Sequence, residues 1–285
     1  MLGQYITNGV LIGGLYACIA VGFSLVWGVL NVINMLHGSM VVLGAYFCLY
    51  GVQQLGLPLY LVAPAVCGLL FLFGYAVQRG LLNRVVTQPI LITLTLTFGL
   101  DLIVNNLILQ GFSATPRSLV TNYGMLEFLG VRVPVVRIGG MLVAGVLTLL
   151  LYWLLRHSKI GRAIIAVRMD RHAAALMGIR IPQIYALTFG IGAFMAGAAG
   201  CATALIYPVT PMMSGVFLGK AFVICVLGGL GSVPGAIIGG LALGIVEGIG
   251  TLALGQQWAT SVGFMMMMAV IVLFPTGLAG KKGYE

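Results

Sequence analysis

YITNGVLIGGLYACIAVGFSLVWG, residues 5–28, runs without a single charged side chain. A helix rises about 1.5 Å per residue, so roughly 20 such residues cross the ~30 Å hydrocarbon core of a bilayer. Apolar stretches of the same kind recur at 36–54, 59–78, 89–110, 138–155, 184–207, 215–231, 232–254 and 259–275. None alternates apolar with polar residues, which excludes a transmembrane barrel, whose strands keep one polar face. Each segment must satisfy its own backbone hydrogen bonds in lipid. The fold expected is therefore all-α, a polytopic bundle of eight or nine transmembrane helices forming one domain over 1–285.

Composition agrees. The chain is 61% hydrophobic and 7% charged, against about 25% charged residues in a soluble domain. Its net charge of +9 arises from 14 Lys and Arg against 5 Asp and Glu. In a membrane protein that excess reports which loops stay in the cytoplasm, so no nucleic-acid partner is inferred. The five cysteines, Cys18, Cys48, Cys67, Cys201 and Cys225, all lie in apolar segments without Cys-x-x-Cys spacing, and read as reduced packing residues. The start, MLGQYITNGV, lacks the charged region of a cleavable signal, so the first span is expected to remain.

Two loops set the orientation. Residues 156–180 hold Arg156, Lys159, Arg162, Arg168, Arg171 and Arg180 against Asp170, a net +5, whereas 111–137 holds Arg117, Arg132 and Arg137 against Glu127, a net +2. The first, within a loop taken as 156–183, is the cytoplasmic one and 111–137 is extracytoplasmic. Arg79, Arg84, Lys281 and Lys282 then fall inside. Met1 lies outside if all five earlier segments cross. If the polar break at Asn31, Asn34, His37 and Gly38 makes one of them re-entrant, Met1 lies inside. That break is either a loop at the membrane face or part of a pathway.

Nine of the ten prolines, including Pro64 and Pro275, fall at or near expected helix ends; Pro234 does not. It interrupts GGLGSVPGAIIGGLALGIVEG (228–248), where Gly231, Gly235 and Gly239, then Gly240, Gly244 and Gly248, stand four residues apart. Small residues in that register let helices approach closely, and packing is the plainer reading than a ligand role.

Catalytic patterns are missing. GVFLGKA (215–221) is one residue short of a phosphate loop and lacks the hydroxyl residue after Lys220. Pro234 stands where a dinucleotide fingerprint beginning at Gly229 needs glycine. No catalytic residue, metal ligand set or cofactor is expected. Ionisable groups within spans carry the functional weight, since a charge near the bilayer centre costs at least ~2.5–3.5 kcal/mol. Asp101 and Glu247 lie near mid-span, with Lys220 close enough to the outer face to snorkel. Either carboxylate could pair with Lys220 and hold helices in register, or could wall a translocation path with Asn31, Asn34 and His37. Asn105 and Asn106, one turn beyond Asp101, favour the path.

Within the basic loop, RAIIAVRMDRHAAALM (162–177) has no Gly or Pro and ends at Gly178, with Pro182 beyond. This predicts one cytoplasmic helix of about 24 Å. Ala163, Ala166, Asp170, Ala173, Ala174 and Met177 form a small-residue stripe suited to another protein's groove. The arginines could instead meet anionic lipid headgroups.

Three separated stretches, GVLNVINMLHGSMVVLGAY (28–46), GRAIIAVRMDRHAAALMGI (161–179) and GKAFVICVLGGLGSVPGAIIGG (219–240), resemble the permease subunits of branched-chain amino acid ABC importers, a family that includes urea and amide permeases. The resemblance runs from Asn8 to Glu247. It implies that the cytoplasmic helix couples to an ATPase, with matches at Gly161, Arg162, Ala163, Asp170, Ala173, Ala174 and Gly178 and a departure at His172, where relatives commonly carry Glu. It further implies a bacterial inner-membrane location and a heterodimer with a second permease. Two ATPase subunits and a periplasmic solute-binding protein would complete the complex, the latter meeting loop 111–137. The permease itself would catalyse nothing. The rival readings are a self-contained carrier or channel for a small polar solute, with Asp101 and Glu247 as coupling groups, and a structural scaffold built on the glycine ladder.

Overall fold

The computed structural model describes residues 2–119, 124–128, 131–273 and 277. Four long helices come first: α1 (Leu2–Leu30), α2 (His37–Gln53), α3 (Leu59–Gly80) and α4 (Ile90–Phe112). A small antiparallel hairpin, β1 (Met125–Phe128) and β2 (Val131–Pro134), leads into α5 (Val135–His157). The basic loop holds α6 (Lys159–Met169) and α7 (Arg171–Leu176), and the chain continues through α8 (Ile181–Ile206), α9 (Met213–Gly228), α10 (Val233–Leu254) and α11 (Ala259–Leu273). Among the described residues, seven helices are long and apolar enough to cross a membrane: α1, α3, α4, α5, α8, α10 and, with the turn before it, α11. α2 and α9 are shorter, at 17 and 16 residues, or about 25 Å each. The architecture is an all-α polytopic bundle.

The prolines divide differently from their spacing in sequence. Pro234 opens α10, in the first turn where its missing N–H leaves nothing unsatisfied, behind a Ser232 side chain that accepts from Gly235 N–H at 3.1 Å. The expected span 215–231 ends earlier because Gly229 (φ 93°) and Gly231 (φ 77°) turn the chain in left-handed conformations. Pro64, expected at an end, lies inside α3. Pro275, Lys281 and Lys282 lie outside the described residues.

The bundle is built twice. α1, a six-residue break (31–36), α2 and α3 are repeated in α8, a six-residue break (207–212), α9 and α10. Both breaks end in the same backbone turn. Leu36 and Met212 share φ −66° and ψ −13°, and His37 N–H bonds Asn34 O at 3.2 Å as Met213 N–H bonds Thr210 O at 3.1 Å. α3 and α10 are both 22 residues long; α10 packs along α1 as α3 packs along α8. The two inner helices meet where Gly38 abuts the Ser214 backbone. Five helices, α1 to α5, lie between the two starts; with each of them crossing, the halves run in opposite directions through the bilayer. This is the inverted repeat that membrane transport proteins use to build two mirrored gates. No internal repeat is evident in the sequence.

α1 and α8 are the buried axis, while α4 and α11 lie at the periphery. In lipid, apolar burial does not drive helices together, so close contact has to do it. A Cβ on Gly244 would strike Gly9 O and the Gly13 backbone, and one on Gly240 would strike Ala17, so α1 and α10 touch backbone to backbone. Gly239 lies against Ile224 O, Gly235 against Gly228, and Gly231 against Gly28.

Candidate functional site

Among the described residues, one buried ion pair lies inside the bundle. Lys220 of α9, 9% exposed, donates to Glu247 Oε2 of α10 at 2.9 Å, and Tyr16 of α1 donates to the same oxygen at 2.8 Å. Lys220 also hydrogen-bonds the Tyr16 hydroxyl, and its ammonium lies 4.2 Å from the Tyr16 ring centroid. Lys220 therefore does not snorkel. A carboxylate, a hydroxyl and an aromatic face replace the water it would otherwise seek. Of its two possible partners it takes Glu247, which joins three helices from both halves.

Asp101 stands elsewhere, on a polar stripe of α4 made by Thr93, Thr97, Asp101 and Asn105 at four-residue intervals. Thr97 Oγ donates to Ile33 O at 3.0 Å and accepts from Met35 N–H at 3.3 Å, so it satisfies the backbone that the α1–α2 break leaves unpaired. One turn on, Ser39 of α2 donates to Asp101 Oδ1, and Asn105 Nδ2 donates to Oδ2 at 3.2 Å. Among the described residues the ion pairs are Arg132–Glu127 and Lys220–Glu247; Asp101 has no cation. Asn106 bonds its own helix at Leu102 O and faces outward.

The remaining path candidates separate. Asn31, φ 54°, closes α1 and is exposed. Asn34 is 1% exposed, in the loop tied to Thr97, while His37 is buried at the start of α2 with Nε2 2.9 Å from Ile19 O. The structure thus brings Asp101 and Asn105 together and places Asn34 one turn below them. Glu247 lies apart, on α10.

The basic segment is two helices, not the single one its composition predicts. The chain extends at Asp170 (φ −154°, ψ 109°), whose Oδ1 accepts from His172 N–H at 2.8 Å and Ala173 N–H at 3.0 Å. An aspartate able to cap a new helix competes with continuing the old one. Those two bonds hold its carboxyl below the usual carboxylate range. At the other end Ser158 caps α6 through Gly161 N–H at 2.8 Å, and Gly161 has no room for a Cβ against the backbone of Leu154 and Leu155. Gly178, φ 81°, ends α7 with Ile179 N–H bonded back to Ala174 O at 3.1 Å. The break also divides the expected small-residue stripe. Ala174 is buried against the chain's own core, whereas Arg162, Asp170, Ala173, Leu176 and Met177 face outward and Ala163 is half-buried. Leu176 and Met177 are 90% and 83% exposed.

Tyr16, Ser39 and Thr97 were not singled out from the sequence. Thr97 had a signal, the four-residue polar ladder on an apolar helix; Tyr16 had none, since its partners are 204 and 231 positions away.

The family model described as branched-chain amino acid transport system / permease component matches residues 5–273. The high-affinity branched-chain amino acid transport system permease protein LivH of Escherichia coli (strain K12) is 31% identical, over 99% of this chain and 96% of that protein. The corresponding protein BraD of Pseudomonas aeruginosa is 30% identical, over 99% and 97%. A probable LivH of Methanocaldococcus jannaschii is 25% identical over 96% and 91%. No solved structure matches the chain significantly. Seven candidate spans among the described residues, a repeated arrangement of helices, a two-part polar element and a family match along nearly the whole length agree: the chain belongs to the branched-chain amino acid transport permease family.

Proposed function

We propose that this chain is one of two permease subunits of an importer for leucine, isoleucine and valine in the bacterial inner membrane. Two ATPase subunits energise it and a periplasmic solute-binding protein loads it. The observation that carries the reading is the α6–α7 element. A short, doubly capped helix pair at the cytoplasmic end offers two almost fully exposed apolar side chains, Leu176 and Met177, with Arg162 and Arg171 nearby. An isolated membrane protein gains nothing from two such side chains in water; a docking cleft on an ATPase covers them.

Opposed repeats supply the moving parts. The α1–α2 and α8–α9 breaks sit toward opposite faces, so a rocking of one half against the other opens one break while closing its counterpart. On the outer face, Gln4 exchanges two hydrogen bonds with Arg132 of the hairpin, at 2.6 and 2.9 Å, and Arg117 pairs with Val209 in the outer break. A solute-binding protein pressing on the 111–137 loop would therefore act directly on α1 and on the outer break. The self-contained carrier loses one of its two coupling groups, because Glu247 is already neutralised by Lys220.

The test is reconstitution with the genomic partners in proteoliposomes and measurement of branched-chain amino acid uptake with and without ATP. Uptake should require ATP and the ATPase chains. Uptake by the permease without either refutes the reading.

A further inference from the structure

Directly outward of Asp101, the seam between α2 and α4 opens into a cavity of about 440 Å³, within the size range of small-molecule sites. Leu43 and Phe47 line it from α2, Phe73 from α3, and Val104, Ile108 and Phe112 from α4, and it is open to the bundle's outer surface at the exposed Leu69 and Leu107. Leu43 is one helical turn beyond Ser39, and Val104 and Ile108 flank Asn105. The apolar cavity and the polar pair are therefore consecutive levels of one seam. At its outer end Phe112 stacks on Tyr46, ring centroids 4.7 Å apart, and the Tyr46 hydroxyl points to Val209 O in the outer break.

The polar level is unfinished. The Asp101 carboxyl stands at the middle of α4, held by two neutral donors and by no cation of the described residues. Asn105 Oδ1, beside it, is enclosed and has no hydrogen-bond donor. Two acceptors one turn apart, one of them anionic, match an alkylammonium with three N–H donors. An acyl chain of lipid would fill the apolar level and leave Asp101 without a cation and Asn105 Oδ1 without a donor.

We propose that the α2–α4 seam is a substrate site for a zwitterionic aliphatic amino acid, its ammonium held by Asp101 and Asn105 and its branched side chain in the Leu43–Val104–Ile108 cavity. This rests on the importer reading above. It gives the two intramembrane carboxylates different tasks: Glu247, paired with Lys220, joins helices, and Asp101 meets the cargo.

The test uses the complete complex in proteoliposomes with Asp101→Asn, Asp101→Glu and Val104→Phe. Asp101→Asn should co-purify with its partners and keep ATP hydrolysis stimulated by the binding protein. Its leucine uptake should fall roughly tenfold to a hundredfold, the range set by one charge-assisted hydrogen bond, and Asp101→Glu should recover part of it. Val104→Phe should move the preference from leucine toward valine in direct competition; if it fails to assemble, Leu43→Phe on the facing wall reads the same ratio. Unchanged uptake in Asp101→Asn overturns the site. So does loss of the second permease on purification, which would make Asp101 the partner of a cation in that subunit. An unchanged leucine-to-valine ratio makes the cavity a lipid groove. A wild-type complex inert toward all three branched-chain amino acids overturns the function reading with it, whereas an active wild type beside an equally active Asp101→Asn sinks this site alone.

Discussion

Replacing Lys220 by Met leaves Glu247 buried at the meeting of α1, α9 and α10 with only the Tyr16 hydroxyl as a side-chain partner. At the observed 2.9 Å, and with an effective dielectric of about 20, the lost Coulomb attraction is about 6 kcal/mol. Relaxation and protonation of the orphaned carboxyl recover part, so breaking one side of such a buried pair costs about 3–5 kcal/mol. Both side chains are 11% exposed, so solvent screening recovers little of it. The double change Lys220→Met with Glu247→Leu removes both charges together and should regain most of the loss, since apolar isosteres often replace a buried pair with little penalty. The assay is thermal unfolding of detergent-solubilised protein followed by size-exclusion fluorescence. At about 2–4 °C per kcal/mol for a chain of this size, the single variant should melt on the order of 10 °C lower, and the double variant close to the wild type. A single variant that melts at the wild-type temperature, or a double variant no better than the single, would show that the pair does not hold these helices.

Two further outcomes follow from packing and capping. Gly244→Ala places a methyl against Gly9 and Gly13 and should destabilise by about 1–3 kcal/mol through separation of α1 from α10, while Gly145→Ala, with open space at its Cβ, should be neutral or slightly stabilising in the same melting assay. In the α6–α7 element, Leu176→Asp, and Gly178→Pro at φ 81°, should leave insertion intact yet uncouple uptake from ATP hydrolysis; normal uptake in both variants would remove α6–α7 from the coupling surface.

Much of this molecule is decided by local chemistry that can be read in order along the chain. Uncharged runs long enough to cross lipid must be helices, because nothing else satisfies their backbone there. Arginines crowded into 156–180 mark a face, and glycines four residues apart announce close helix contact. What sequence order does not carry is which side chains meet. Lys220 could have paired with either carboxylate, and its position near the expected outer face even suggested water. Only the crossing of α1, α9 and α10 brings Tyr16 and Glu247 to it, from 204 and 27 residues away, and so leaves Asp101 unpaired. The inverted repeat was hidden for a related reason. Its two halves share lengths, breaks and packing, but the charged cluster on one side is met by apolar contacts of α2, α3 and α8 on the other. At Asp170 the composition of 162–177 argued for one helix throughout; a single side chain, able to cap the turn that follows, divided it into two. Composition and periodicity determined the solvent and the helices. Long-range packing decided the chemistry, because a charge in lipid is defined by what lies within 3 Å or so of it, and those neighbours come from distant parts of the chain.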